Sequence, residues 1–175
     1  MPARDTIVVL GLLGQFPLAG IAWQLIHHLV GLQRLGFEVF YIEETGALPY
    51  DPRSKNLTED CSYSLRFIHD ALHPYGFTEA WAYRDGLTSQ WHGMSSQRVK
   101  ALFDRARCVV NLCGASHPET LTYRPKGTFL YLETDPVLYQ VRLAQGDAAA
   151  LRFLGGHDAH ATYGENLGEP DCPIP

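Results

Sequence analysis

Short, mostly apolar runs recur along the chain and alternate with longer segments of mixed polarity. The runs are rich in β-branched and aromatic residues, which favour strands. A continuous apolar run of this length is typical of a strand that is buried on both faces of a parallel sheet. The pattern predicts strands at residues 6–10, 37–42, 80–83, 108–114, 128–132 and 159–163.

The segments between these runs repeat apolar residues at helical spacing. Ala22, Leu25 and Leu29 lie on one side of a helix predicted over residues 20–35, and Gly36 ends it. Later helices are predicted to begin at Asn56 or Thr58, at Ser95 or Ser96, at Asp135 followed by Pro136, and after Gly146 and Asp147. Because strands and helices alternate, the predicted fold class is α/β, with a doubly wound, mostly parallel sheet and helices on both faces.

The length of the chain suits a single domain. Its 175 residues fall within the range of one well-buried core. We assign residues 1–166 to this domain. Residues 167–175 are polar and rich in Pro and Gly, as at the start of an interdomain linker. We therefore expect the natural protein to continue into a second domain.

Charge and hydropathy limit the partners of the protein. The net charge of -5, with no long run of like charges, argues against a nucleic-acid partner. Polar residues, Gly or Pro interrupt every apolar stretch before it reaches the length of a transmembrane helix. Arg4 and Asp5 do not fit the start of a signal peptide. We expect a soluble, cytoplasmic protein.

The cysteines and histidines do not form a metal-binding motif in the sequence. The four cysteines include no C-x-x-C pair and predict reduced, mostly buried thiols. His69 and His73 have the i, i+4 spacing of metal ligands on a helix, but no third ligand accompanies them. We therefore predict no metal site.

A glycine-rich loop follows the first predicted strand. Ligands of open α/β sheets bind at the carboxyl ends of the strands, so this loop should line the site. Gly11, Gly14 and Gly20 let a ligand approach the backbone amides at the start of the helix. Their spacing matches neither the dinucleotide fingerprint nor the P-loop, so we expect no tightly held pyrophosphate here and no tightly bound cofactor.

Several stretches resemble the N-terminal half of a GT-B glycosyltransferase. They are "TIVVLGLLGQFPLAG", "HHLVGLQRLGFEVFYIEE", "YLETDP" and "ATYGENLGEPDCPIP". The resemblance covers most of the chain, and it implies a Rossmann-like domain that binds the acceptor, a small molecule or a glycan. A C-terminal domain beyond Pro175 would bind the nucleotide-sugar donor. The isolated chain would then be inactive.

The resemblance also suggests roles for the glycine loop. Inverting members of the family often place a histidine base in this loop, whereas "GLLGQFPLAG" contains Gln15 and no His, Asp or Glu. Retaining members need no such base and use loop glycines near the donor. The comparison therefore favours a retaining enzyme in which Gly14 and Gln15 contact the donor.

Further candidates follow later strands at the same edge of the sheet. His117 is positioned to bind a sugar hydroxyl or to move a proton, or else it is a loop residue that caps backbone groups. Glu133 is a candidate base or hydroxyl ligand. Asp135 is a candidate ligand residue or a helix cap. Glu165 and Asn166 either reach the cleft or belong to a solvated linker.

Two other functions remain open. A non-catalytic Rossmann-like binding module, or one subunit of a split transferase, would have the same sequence features. An NAD(P)-dependent enzyme would use Glu43 or Glu44 after the second strand to hold a ribose, although the spacing of the glycine loop disagrees.

Overall fold

The computed structural model describes residues 4–174, and it has the predicted α/β class. In chain order its elements are β1 (Thr6–Leu10), α1 (Ala19–Arg34), β2 (Glu38–Glu43), β3 (Tyr50–Asp51), β4 (Asn56–Leu57), α2 (Ser62–Leu72), β5 (Trp81–Arg84), β6 (Trp91–Gly93), α3 (Ser96–Arg105), β7 (Cys108–Leu112), β8 (Thr128–Glu133), α4 (Leu138–Ala144), α5 (Ala148–Gly155) and β9 (Ala159–Thr162). A single 3-10 turn, His73–Tyr75, follows α2.

A seven-stranded sheet organises the domain. Its strand order is β6-β5-β2-β1-β7-β8-β9, and every neighbouring pair is parallel except β5 and β6. On one side of β1 the chain adds β2, β5 and β6. It then crosses back to β7, which pairs with the other side of β1, and adds β8 and β9 beyond it. This is the doubly wound, Rossmann-like arrangement, and its order reverses between β1 and β7.

The core lies on both faces of the sheet, because strand residues alternate between the faces. Val9, Tyr41 and Val110 pack with α1 and α2 on one face. Val8 and Phe40 pack with α3 on the other face. β1 is paired on both sides and its residues are all buried, which explains its unbroken apolar sequence.

Most predicted boundaries agree with the structure to within one or two residues. α1 occupies 19–34 where 20–35 was predicted, and Gly36 follows it with φ of +95°. Ser95 caps α3 by accepting a hydrogen bond from the amide of Arg98, as predicted. Asp147 caps α5 in the same way, through the amides of Ala149 and Ala150.

Two predicted helix starts are wrong. Asn56 belongs to β4, which pairs with β3 in a short ribbon, so α2 begins only at Ser62. α4 begins at Leu138 and not at Asp135. The amide of Val137 instead donates to the side chain of Gln140 at 2.7 Å, so Asp135 caps no helix and stays available to the neighbouring pocket.

No helix in the described part of the chain is long and apolar enough to cross a membrane. β9 ends at Thr162, and the chain then forms exposed turns over 164–172. These turns include most of the predicted linker, whose last residue, Pro175, lies outside the described residues.

The close approach of Gly127 to the end of α3 provides a test of the fold. A Cβ at Gly127 would lie 2.1 Å from the carbonyl oxygen of Ala106, which is backbone and cannot rotate away. We expect Gly127→Ala to lower the free energy of unfolding by about 1–3 kcal/mol, as in other overpacked sites. Urea denaturation followed by circular dichroism measures the change.

Gly31→Ala is the matched control, because a Cβ at this position in α1 meets nothing within 4 Å. Alanine in a helix interior stabilises relative to glycine by about 0.5–1 kcal/mol. The two substitutions should therefore act in opposite directions. Equal effects would mean that β8 does not begin as close to α3 as described.

Candidate functional site

A pocket of about 380 Å³ lies at the carboxyl edge of the sheet, where the strand order reverses. Ligands of doubly wound sheets bind at this position. The loops after β1, β7 and β8 form the pocket together with the first turns of α1 and α4. Its lining residues are Leu12, Ile21, Gln24, Cys113, Tyr131, Thr134, Asp135, Leu138 and Tyr139. We call it the switch-point pocket.

Cys113 forms part of the polar wall of this pocket. It ends β7 with φ of +57°, a strained conformation for a residue with a side chain. The thiol donates to Oε1 of Gln24 at 3.2 Å and also contacts the hydroxyl of Thr134. Burial raises the pKa of the Cys113 thiol, so it stays neutral at pH 7 and is unsuited to act as a nucleophile.

A second pocket, of about 340 Å³, lies beside the first, and we call it the Glu133 pocket. It is lined by Tyr131, Glu133, Tyr139, Gln140, Leu143, Leu154, His160, Ala161 and Thr162. Tyr131 and Tyr139 line both pockets, and their rings meet edge to face with centroids 5.8 Å apart. This tyrosine pair forms the wall between the two pockets.

Glu133 is only 3% exposed, yet one of its two carboxylate oxygens accepts no hydrogen bond from the described residues. Oε2 accepts hydrogen bonds from Nε2 of Gln140 at 2.8 Å and from the hydroxyl of Thr162 at 2.7 Å. Oε1 is buried and has no partner among residues 4–174. An unsatisfied buried carboxylate oxygen is costly, so it marks a place where a hydrogen-bond donor would bind favourably.

The glycine loop after β1 is held by a buried glutamate. The carboxylate of Glu43, at the end of β2, accepts from the amides of Gly14 and Gln15, both at 2.6 Å. The hydroxyl of Tyr41 donates to the same carboxylate, and it accepts from the amide of Leu13 at 3.0 Å. The amides of Gly14 and Gln15 thus point at the protein's own carboxylate and are not free to bind an anion.

Burial raises the pKa of Glu43 to about 7, although the three hydrogen bonds that it accepts act in the opposite direction. The side chain is fully buried, with Ile68 and Tyr83 packed against Gly14 on the outer side of the loop. Glu43 therefore changes its charge in the neutral pH range.

Glu44, the next residue, lies on the opposite face of the sheet. Its Oε1 accepts from the amide of Thr122 at 3.0 Å and from the hydroxyl of the same residue. Arg84 lies 3.6 Å from this oxygen. Neither Glu43 nor Glu44 lines the switch-point pocket, so neither is placed to hold the ribose of a dinucleotide there.

The predicted site residues are divided between two regions. Asp135 lines the switch-point pocket, Glu133 lines the neighbouring pocket, and Gly11 lines a narrow cavity beneath the first. Gly14 and Gln15 lie on the other side of the glycine loop, against Glu43.

The remaining predicted residues lie outside both pockets. His117 is exposed, accepts from the amide of Glu119 at 3.3 Å and packs its ring near Phe153. Glu165 and Asn166 lie in an exposed turn. Gly164, just before them, lies close to Pro136, so this turn borders the loop after β8.

Sequence reasoning missed Gln24, Tyr139 and Thr162 as pocket residues. Gln24 falls on the polar side of α1, and only the tertiary structure shows that this side faces the ends of β7 and β8. A usable signal existed for Thr162, since a polar residue at the end of a strand lies at the ligand-binding edge.

Asn111 is a buried polar residue in the apolar strand β7, so its side chain needs hydrogen-bond partners, and it has them. Its amide group donates to the carbonyl of Ser116 at 2.8 Å and to Nε2 of His157 at 2.9 Å. Nδ1 of His157 donates to the carbonyl of Phe153 at 3.0 Å. Burial lowers the pKa of His157, in agreement with this neutral, fully bonded ring.

Comparison of the chain with protein-family models, curated proteins and solved structures found no match. The strand order by itself establishes the Rossmann-like class. What the pockets bind has to be inferred from their own side chains.

The titration of Glu43 gives a pH-dependent contribution to stability. Its pKa rises from an ordinary 4.5 to about 7 on folding, so the folded state keeps a proton that the unfolded chain has lost between these values. Stability from this group therefore falls as pH rises from about 4.5 to 7, by on the order of 2–3 kcal/mol. The group adds nothing below this window, where both states are protonated.

We expect the difference in unfolding free energy between the wild type and Glu43→Gln to decrease by this amount from pH 5 to pH 8. Taking the difference removes the opposing titration of His157, whose lowered pKa costs stability as pH falls. Urea denaturation at several pH values measures it. A difference that is constant, or that grows with pH, would show that the carboxylate is already charged at pH 5.

Proposed function

We propose that this chain is the acceptor-side domain of a GT-B-like glycosyltransferase. In this proposal a sugar passes from a nucleotide-activated donor to a small-molecule or glycan acceptor that binds at the switch-point pocket. The observation that carries the proposal is the polarity of this pocket, which combines neutral and acidic polar groups with tyrosine rings. Within residues 4–174 no Lys or Arg side chain lines it.

These groups suit an uncharged, hydroxyl-rich ligand. Gln24 offers both a donor and an acceptor, Thr134 offers a hydroxyl, and Asp135 offers acceptors for hydroxyl hydrogens. Tyr131 and Tyr139 offer flat apolar surface of the kind on which a sugar ring stacks. Pockets of about 300–1,000 Å³ with a few convergent polar groups are typical small-molecule sites.

The same features disfavour a phosphate at this place. The amides of Gly14 and Gln15 donate to Glu43, and Asp135 would repel an anion in the pocket. The donor phosphates would then be held by the C-terminal domain, as the GT-B resemblance implies. A contact between this loop and the donor would have to come from the side chain of Gln15, which is partly exposed.

Glu133 is the residue to which we assign the acid-base role. An acceptor that extended from the switch-point pocket past Tyr131 and Tyr139 into the Glu133 pocket would bring a hydroxyl towards Oε1, which has no partner among residues 4–174, while Gln140 and Thr162 hold the other oxygen. The retaining mechanism suggested by the glycine loop rests on the family resemblance. His117, being exposed and outside both pockets, would act only from the wall of a completed interdomain cleft.

A non-catalytic binding module is the second candidate. One observation favours it: the amides of Gly14 and Gln15, which the transferase resemblance places near the donor, donate to Glu43 and are not free for a donor. An NAD(P)-dependent enzyme is disfavoured, since the glycine spacing departs from the dinucleotide fingerprint and the amides of Gly14 and Gln15 already donate to Glu43.

Ligand class is tested by titrating ¹⁵N-labelled protein with a panel of uncharged glycosides, and separately with NAD⁺ and UDP. We expect a glycoside to shift the amide resonances of Cys113, Thr134 and Leu138, and Asp135→Asn to weaken its binding about tenfold, as loss of a charged hydrogen bond does. Glu169→Gln, on the exposed tail, is the control. Shifts of the same resonances by NAD⁺ or UDP, with none from glycosides, would reject an acceptor site.

Catalysis is tested in the natural full-length protein with a panel of nucleotide sugars. We expect Glu133→Gln to lower kcat about 10²–10⁴-fold, the usual contribution of a general base. Glutamine keeps an oxygen for Gln140 and Thr162, so the fold should be retained. Glu165→Gln, in the exposed turn, should have little effect.

A change confined to KM in Glu133→Gln would mean that Glu133 only binds a hydroxyl, and it would leave the retaining mechanism as the better hypothesis. No turnover of any nucleotide sugar by the wild type, together with glycoside binding, would favour the binding module.

A further inference from the structure

Three metal-ligating side chains converge away from both pockets. Cys61 precedes α2, Asp85 follows β5, and His92 lies in β6. The sulfur of Cys61 is 4.0 Å from Oδ2 of Asp85 and 4.0 Å from Nε2 of His92. The three ligand atoms all lie within 4.8 Å of one another.

We propose that Cys61, Asp85 and His92 bind a zinc ion. In a tetrahedral zinc site, with Zn–S of about 2.3 Å and Zn–N or Zn–O of about 2.0 Å, the sulfur lies about 3.5 Å from each of the other ligands. The two observed sulfur distances exceed this by about 0.5 Å, and the Asp85 and His92 ligand atoms lie within 4.8 Å of each other. Small side-chain rotations would therefore close the three atoms around one ion.

Asp85 is held in position for this role. It is buried, and its Oδ1 accepts from the amide of Leu87 at 2.8 Å. The hydroxyl of Thr88 donates to Oδ2 at 2.8 Å, which leaves a second lone pair of that oxygen facing Cys61. Outer hydrogen bonds of this kind orient the carboxylate ligands of metal sites.

The surroundings of the thiol suit a cation. The charged groups that act on Cys61 are the carboxylates of Asp85 and Asp60, and no Lys or Arg is paired with Cys61 in the described chain. Burial, and then Asp85, raises the pKa of the Cys61 thiol. Binding of zinc would displace this proton and neutralise the cluster, so affinity should fall as pH is lowered.

The ligand types identify the metal. Thiolate and imidazole favour zinc over magnesium or calcium, which prefer oxygen ligands alone. Three protein ligands leave a fourth position, and Cys61 and His92 are only half-buried, so water can occupy it. The ion would join the start of α2 to the β5–β6 hairpin.

The experiment uses cobalt(II) as a spectroscopic probe. The whole chain is freed of metal with a chelator and titrated with Co²⁺, and then with Zn²⁺. We expect one equivalent of Co²⁺ to produce a thiolate-to-cobalt charge-transfer band, which Zn²⁺ abolishes. Zn²⁺ should also raise the melting temperature of the metal-free protein, because it binds only the folded state.

Substitutions assign the ligands. Cys61→Ser should abolish the charge-transfer band, and His92→Gln should weaken Zn²⁺ binding at least tenfold in competition with a chelator. Asp85→Asn keeps an acceptor for the amide of Leu87, so the turn should be retained while affinity falls. Circular dichroism checks that each variant is folded.

Two controls separate this site from chance binding. His69 on α2 and His73 in the turn after it are exposed, with rings 5.5 Å apart, and they are the obvious adventitious pair. The double substitution His69→Gln and His73→Gln should keep the band, as should Cys172→Ser in the tail. The proposal is overturned if the wild type shows no thiolate band, if Cys61→Ser keeps it, or if stoichiometric binding is lost in the His69 and His73 variant.

Discussion

The carboxylate of Glu43 is the contact on which the functional edge depends. It accepts from two successive amides of the glycine loop and from a tyrosine hydroxyl, and it is fully buried. Any other position of the loop would leave the buried carboxylate without its two amide donors, which costs more than the hydrogen bonds themselves contribute. The loop, and with it the start of α1, is therefore fixed from within the domain.

This contact also takes up two amides of the loop after the first strand. In nucleotide-binding members of this architecture the amides after the first strand point at phosphate. Here the protein supplies the anion itself, as an internal substitute for the phosphate. The switch-point pocket lies to one side of this loop, at the ends of β7 and β8. Its polar groups include the side chains of Gln24, Thr134 and Asp135.

The sequence predicts the α/β class and most strands because buried parallel strands need unbroken apolar runs. It does not predict β6 or the β3–β4 ribbon, whose strands have only two or three residues and depend on edge pairing. It also predicts that the loops after β1, β7 and β8 lie at one edge of the sheet, and the switch-point pocket lies among them. It cannot predict that Glu43 occupies the loop amides, because residues 28 or 29 positions apart make these bonds.

The wall between the two pockets is lined on both sides by Tyr131 and Tyr139. Rotation of the Tyr139 ring about its side-chain bonds would join the cavities without moving β8, but it would break the stacking of this ring on Phe153, whose centroid lies 5.0 Å away. A ligand with a single ring would fill one pocket. A ligand with two rings would have to displace the wall between the pockets. The tyrosine pair would thus limit the length of the ligand, and a smaller side chain at position 139 would let a longer ligand bind.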